Sequence, residues 1–329
     1  MSNFIHALSD RVFEYKPYFA IVGIAINIFH LLVLTRKSMC SNSVNVIMIG
    51  IGLCDILNLS FFIYDKFMPN QNDCPSQTDN ISALLGASVY TAREILRRLS
   101  SWLDVLLAFV RYLIIGNSLN PKFEKVSKPL FGIAVMTMAV LISTAISMTY
   151  WTQVSYTEAT PWAPGCGATQ NVIQPKPYIT TQVLYVVDGF LRILPSGVLP
   201  LLAFLLIREL RTAKIARRRM SFTSTKKEST ETDHTTKIVI LMTICCMTAE
   251  VPLGIVYIGQ GIETSAGFQA MANDLISIFG IFVALNAISH CFICFAVSSQ
   301  YRKSSKEILY CFKKKETIQV HEIHDKHSF

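Results

Sequence analysis

Charge is scarce in this sequence. Asp, Glu, Lys and Arg make up 16% of its 329 residues, where a soluble domain carries about a quarter. That shortage excludes an ordinary soluble globular domain. Catalytic equipment is missing as well. The nearest approach to a metal motif, His321-Glu322-Ile323-His324, is one residue short of the zinc-protease spacing and lies in a polar tail that reads as disordered. Cys291-x-x-Cys294 falls inside an apolar stretch and reads as packing. No set of residues supports an enzyme. No lysine lies between Lys237 and Lys303, which counts against a retinal protein with its Schiff base in the last span. The absence of internal repeats counts against a secondary transporter built from two similar halves. The first sixteen residues contain Asp10, Arg11, Glu14 and Lys16, so no cleavable signal-peptide pattern is present.

What the sequence has in abundance is apolar runs. Apolar residues account for 51% of the chain, and mean hydropathy is +0.41. A run of about 18 residues spans a hydrocarbon core of about 30 Å. Seven such runs are expected to be transmembrane helices: 17–35, 44–64, 82–115, 128–151, 178–207, 236–259 and 270–298. The third is the weakest by hydropathy because its first half is charged. The reading is an all-α integral membrane bundle of seven helices. Residues 1–16 form an extracellular N-terminus, 17–298 the bundle, and 299–329 a cytoplasmic amphipathic helix and tail.

Seven spans put the termini on opposite sides, and cytoplasmic loops carry the excess of Lys and Arg. Arg36 and Lys37 follow the first span, and Lys122, Lys125 and Lys128 follow the third. Eight basic residues between Arg208 and Lys227 follow the fifth, and Arg302, Lys303, Lys306 and Lys313–Lys315 follow the seventh. The opposite side has Arg11, Lys16, Lys66 and Lys176 and little else. The expected orientation is N-terminus outside and C-terminus inside, in the plasma membrane. The net charge of +8 then reflects contact with anionic lipid rather than with nucleic acid.

Asn80-Ile81-Ser82 is a glycosylation triplet in a segment placed outside. Cys74 and Cys166 are the cysteines of the outer loops, where an oxidising exterior permits a disulfide. Cys311 sits in a basic stretch with Ile308, Leu309 and Phe312, as an interfacial helix would present a palmitoylation site or a free thiol.

Polar residues inside spans are costly and usually functional. Asn27 is in the first span, Asp55 in the second, Arg111-Tyr112 at the end of the third, Pro195 and Pro200 in the fifth, Pro252 in the sixth and Asn286 in the seventh, with Tyr301-Arg302 following. This series, in this order, resembles the rhodopsin-like G-protein-coupled receptors. The segments Leu34-Thr35-Arg36-Lys37-Ser38-Met39, Arg98-Leu99-Ser100-Ser101-Trp102-Leu103 and Ser298-Ser299-Gln300-Tyr301-Arg302 resemble nematode serpentine receptors of class w, which are similar to FMRFamide-type neuropeptide receptors. The resemblance covers about residues 17 to 312. It implies an extracellular peptide ligand and a heterotrimeric G protein as partners, with a small-molecule chemosensory receptor as the alternative. Arg111 and Tyr112 would serve G-protein coupling.

The sequence departs from that pattern at several places. Val110 replaces the acid before Arg111, and His290-Cys291-Phe292-Ile293-Cys294 replaces Asn-Pro-x-x-Tyr. Glu250 replaces the tryptophan of the sixth span, and the usual cysteine at the top of the third is absent, so Cys74 would substitute for it.

Asp55, Ser100 and Asn286 match the resemblance's ion-binding cluster. They would hold a sodium ion or water, or else form a hydrogen-bonded core around a protonated aspartate. Arg93, Arg97, Arg192 and Glu250 are the candidate ligand-binding residues. Arg97 lies fourteen residues before Arg111, about 21 Å higher at a helical rise of about 1.5 Å per residue. Four cations (Arg93, Arg97, Arg98, Arg192) face four anions (Glu94, Asp188, Glu250, Asp274) in this outer half, so internal pairing competes with ligand contact.

Overall fold

The computed structural model describes residues 2–67, 80–117, 121–151, 154–159, 170–175, 178–220 and 227–310. Seven long helices run through it: α1 Ser2–Leu34, α2 Ser43–Phe67, α3 Asn80–Gly116, α4 Pro129–Trp151, α5 Tyr178–Met220, α6 Lys227–Ile262 and α7 Ala266–Val297. Each is long and apolar enough to cross a membrane. The shortest, α4, has 23 residues, or about 35 Å of helix. A further helix, α8, covers 299–310. The chain is thus a multi-pass membrane protein, as the apolar runs imply.

The helices differ from the runs chiefly at their ends. The helix α1 starts at Ser2 rather than at residue 17, and Pro17 lies inside it. Hydropathy marks where the chain meets lipid, whereas a helix continues into water as long as its polar residues tolerate the conformation. The same reason extends α5 to Met220 and starts α6 at Lys227, both well into polar sequence. The N-terminal turns are fastened to the bundle. His6 Nδ1 lies 3.1 Å from Asp274 Oδ2 of α7, and Lys16 Nζ sits 3.9 Å above the Phe62 ring of α2.

Between α4 and α5 the chain forms a two-stranded antiparallel hairpin, which the all-α expectation did not include. Strand β1 is Val154–Ala159 and β2 is Gln170–Pro175, with Val154 opposite Pro175 and Ala159 opposite Gln170. The hairpin marks one end of the bundle, and α8 marks the other.

Lipid tails give helices no hydrophobic reason to associate, so close packing and polar contacts decide the arrangement. The α5–α6 contact relies on glycine. A Cβ at Gly189 would lie 2.6 Å from the Gly254 carbonyl oxygen, and one at Gly254 would lie 2.5 Å from Ile193 Cγ1. The largest buried cluster lies toward the tail end and includes Leu34, Ile47, Leu103, Leu107, Val110, Tyr301 and Ile308. A second joins Ala20, Leu59, Phe62, Ala284 and Ala287 of α1, α2 and α7. Large apolar side chains such as Leu130, Leu141 and Ile142 of α4 point outward, as lipid contact requires.

The helix α8 is amphipathic. Tyr301, Ser304, Ser305 and Ile308 are buried, while Lys303, Lys306, Leu309 and Tyr310 are exposed. Ser298 Oγ accepts the Tyr301 N–H at 3.1 Å and caps its start. Arg302 Nη1 donates to the Ala296 carbonyl at 2.8 Å, satisfying a group left open at the end of α7.

Candidate functional site

Three polar layers cross the bundle. The layer nearest the hairpin is an ion-pair network. Arg192 of α5 is 2% exposed and faces three acids. Its Nη2 donates to Glu94 Oε2 at 2.7 Å, its Nε donates to Asp188 Oδ2 at 3.1 Å, and its Nη1 lies 3.7 Å from Glu250 Oε2. Arg98 donates to Asp188 Oδ1 at 2.6 Å, and also to the Ser143 carbonyl and Ser147 Oγ on α4. Arg97 reaches Glu94 at 3.4 Å and the Tyr257 hydroxyl of α6 at 3.1 Å. The Tyr257 ring lies under the Arg192 guanidinium, 4.5 Å from its centroid. Arg97, Arg98 and Arg192 thus meet Glu94, Asp188 and Glu250, three cations with three anions and no surplus of either sign.

Arg93 turns the other way, to Asp65 and the Phe61 carbonyl of α2. Asp65 was not among the acids expected here. It falls just past the apolar run, and only the rotation of α2 against α3 shows that it faces inward. Asp274 sits with His6 instead of with the arginines. Above the network is a cavity of about 70 Å³, lined by Tyr90, Ile146, Leu184, Tyr185 and Tyr257 with Arg98 and Asp188. Arg98 Nε is buried there without a hydrogen-bond partner among the described residues.

The central layer places Asp55, Ser100 and Asn286 together, with two further residues. Ser100 Oγ donates to Asp55 Oδ1 at 3.1 Å. His290 Nδ1 lies 2.8 Å from Asp55 Oδ2, and its Nε2 lies 3.6 Å from Asp104 Oδ1. Asn286 lines a cavity of about 10 Å³ together with Asp55, Asn58, Ser100 and Arg97. Asn27 Nδ2 donates to the Gly23 carbonyl of its own helix and to the Ala287 carbonyl at 3.3 Å. It therefore braces α1 against α7. The signal for His290 was its place in the altered Asn-Pro-x-x-Tyr segment. Nothing in the sequence named its partners.

The third layer lies toward the tail. Arg111 Nη2 touches Met48 Sδ at 3.6 Å, and among the described residues no carboxylate pairs with it. Tyr112 beside it is half-buried. Val110 is 1% exposed and packed in the apolar cluster, so the position that holds the acid in the resembled receptors is here part of the core. Tyr301 enters from α8. Its hydroxyl is 2.8 Å from His30 Nδ1 and 3.5 Å from Cys291 Sγ.

Cys74, Cys166 and Cys311 lie outside the described residues. Asn80 begins α3, but its side chain is not described.

Comparison with known proteins agrees with this anatomy. Residues 14–312 match the family described as serpentine type 7TM GPCR chemoreceptor Srw. The chain is also 25% identical over 317 residues to the Drosophila melanogaster protein named Sex peptide receptor, covering 89% of this chain and 71% of that one. The family match indicates a receptor rather than an enzyme, with a ligand and a G protein as its partners. A basic arginine at the end of the third spanning helix, a polar bundle centre and a family match over nearly the whole chain converge on one statement: the chain belongs to the serpentine class w family of G-protein-coupled receptors.

Proposed function

We propose that this receptor recognises an extracellular peptide, with the hairpin end of the bundle outside the cell and the α8 end in the cytoplasm. The observation that carries the reading is the cavity above the Arg192 network. It is walled by aromatic and apolar side chains and floored by charges that already balance one another. A ligand seated there is recognised by shape, apolar contact and hydrogen bonds, without a compulsory charge. Peptides provide all three. A relative named for a peptide supports the reading, as does the backbone hairpin whose strand β2 lies against α3. Arg93, Arg97, Arg192 and Glu250 then shape the floor, with any direct ligand contact coming from atoms the network leaves open. Arg111 and Tyr112 couple to the G protein. The basic residues of 208–219 and the exposed face of α8 contact anionic lipid of the plasma membrane. Glycosylation of Asn80, a Cys74–Cys166 disulfide and palmitoylation of Cys311 belong to the same reading.

A small-molecule chemosensory ligand is the second reading, favoured by the family's description as chemoreceptors and by the modest size of the cavity. The experiment that separates them is a screen of a peptide library and a panel of small odorants on transfected cells, with a calcium or cyclic-AMP readout. Peptide responses at low concentration support the proposal. Responses confined to the odorant panel refute it.

A further inference from the structure

The resemblance implies a sodium ion among Asp55, Ser100 and Asn286. The residues present do not fit one. Asp55 is 3% exposed, and both of its oxygens are engaged, Oδ1 by Ser100 Oγ at 3.1 Å and Oδ2 by His290 Nδ1 at 2.8 Å. The opposite nitrogen of the same ring lies 3.6 Å from a second buried carboxylate oxygen, Asp104 Oδ1, an ion-pair contact longer than a hydrogen bond. Only an imidazolium carries a proton on both nitrogens, so only that form presents a donor to each carboxylate. A neutral ring would turn a lone pair toward one of them at a site shielded from water, where unpaired charge is costly. The cavity beside Asp55 measures about 10 Å³, about the volume one water needs. Arg97 also lines it, so a metal ion there would meet a fixed positive charge. Asn58 Oδ1 and Asn286 Oδ1 are buried acceptors without protein partners among the described residues, and they suit the two hydrogens of a single water. The other titratable groups around the centre are engaged elsewhere: His30 with Tyr301, and Glu250 with Arg192.

We infer that the side chain of His290 is the resident cation of the bundle centre, bridging Asp55 of α2 and Asp104 of α3 from α7, and that the receptor has no sodium site there. The ring does what an exchangeable metal ion would do, but it is tethered to one of the helices it joins. Stability and conformational balance are therefore indifferent to sodium.

The test uses the purified full-length receptor and the metal alone. Thermal unfolding is compared at about 150 mM sodium chloride and the same concentration of N-methylglucamine chloride, which holds screening constant. The wild type should melt at the same temperature in both salts. His290→Asn frees the carboxylates and should melt about 3 °C higher in sodium than in N-methylglucamine, because a ligand that binds the folded state stabilises it. A sodium-dependent rise in the wild type overturns the assignment, and so does its absence in a folded His290→Asn receptor. If His290→Asn yields no folded protein, the wild-type comparison decides alone: identical melting in both salts supports the assignment, and a rise in sodium overturns it.

Discussion

Replacing Arg192 by alanine is the sharpest perturbation the hairpin-side network allows. The guanidinium is 2% exposed and lies 2.7, 3.1 and 3.7 Å from carboxylate oxygens of Glu94, Asp188 and Glu250. At an effective dielectric of about 20, each such pair is worth about 5 kcal/mol before desolvation is counted. Desolvation of both partners cancels most of that gain, so the intact network adds little net stability. Truncation is asymmetric: the arginine's own desolvation cost disappears, but two buried acids, Glu94 and Glu250, and the part-buried Asp188 lose their common partner. Removing one member of a buried pair costs about 3–5 kcal/mol. At about 2–4 °C per kcal/mol, Arg192→Ala should melt about 10 °C below the wild type and reach the surface in reduced amount. Glu250 meets Arg192 as its ion partner, so adding Glu250→Gln removes one stranded charge and should restore about 1–2 kcal/mol. The assay is thermal unfolding of purified receptor, with surface staining of tagged receptor in cells. An Arg192→Ala receptor that melts within about 2 °C of wild type would show that this layer is not a mutually dependent network.

Other substitutions should divide by the same logic. Arg93→Ala removes a pair whose acid is 33% exposed, so its cost should be only about 1 kcal/mol by the same melting assay. Gly189→Leu forces α5 from α6, since even a Cβ there would meet the Gly254 carbonyl oxygen at 2.6 Å; folded receptor recovered from cells should fall several-fold. Tyr301→Phe keeps the packing of α8 but leaves His30 Nδ1 without its partner, a loss of about 1 kcal/mol, while Tyr301→Ala should lose about 3–5 kcal/mol to the cavity as well.

The bundle was legible because lipid imposes long apolar runs, and seven of them can be read along the sequence, the charged third one least clearly. Their ends were less legible. Residues 2–16, the extension of α5 to Met220 and the start of α6 at Lys227 are helical in polar sequence, where hydropathy is silent. The residues of the candidate site were visible as charges inside spans, but their pairings were not. Arg97 and Arg98 are adjacent in sequence, yet one reaches Tyr257 of α6 and the other Asp188 of α5. Which acid each arginine meets depends on the rotation of every helix about its axis, and that is set by packing such as the Gly189–Gly254 approach. His290 illustrates the same gap. Its position in an altered motif was plain, but its place between Asp55 and Asp104 follows only once α2, α3 and α7 are assembled.

Under the proposed function, Arg111 carries the signal to the G protein. No acid holds this arginine among the described residues, and Val110 is built into the apolar core, so the resting receptor has no neighbouring acid to restrain it and should show measurable basal signalling. The measurement is guanine-nucleotide exchange on G proteins in membranes carrying wild type or Arg111→Ala at matched surface expression. Basal exchange should exceed that of receptor-free membranes in the wild type and be lost almost completely in Arg111→Ala. Equal exchange by the two receptors would contradict this role of Arg111.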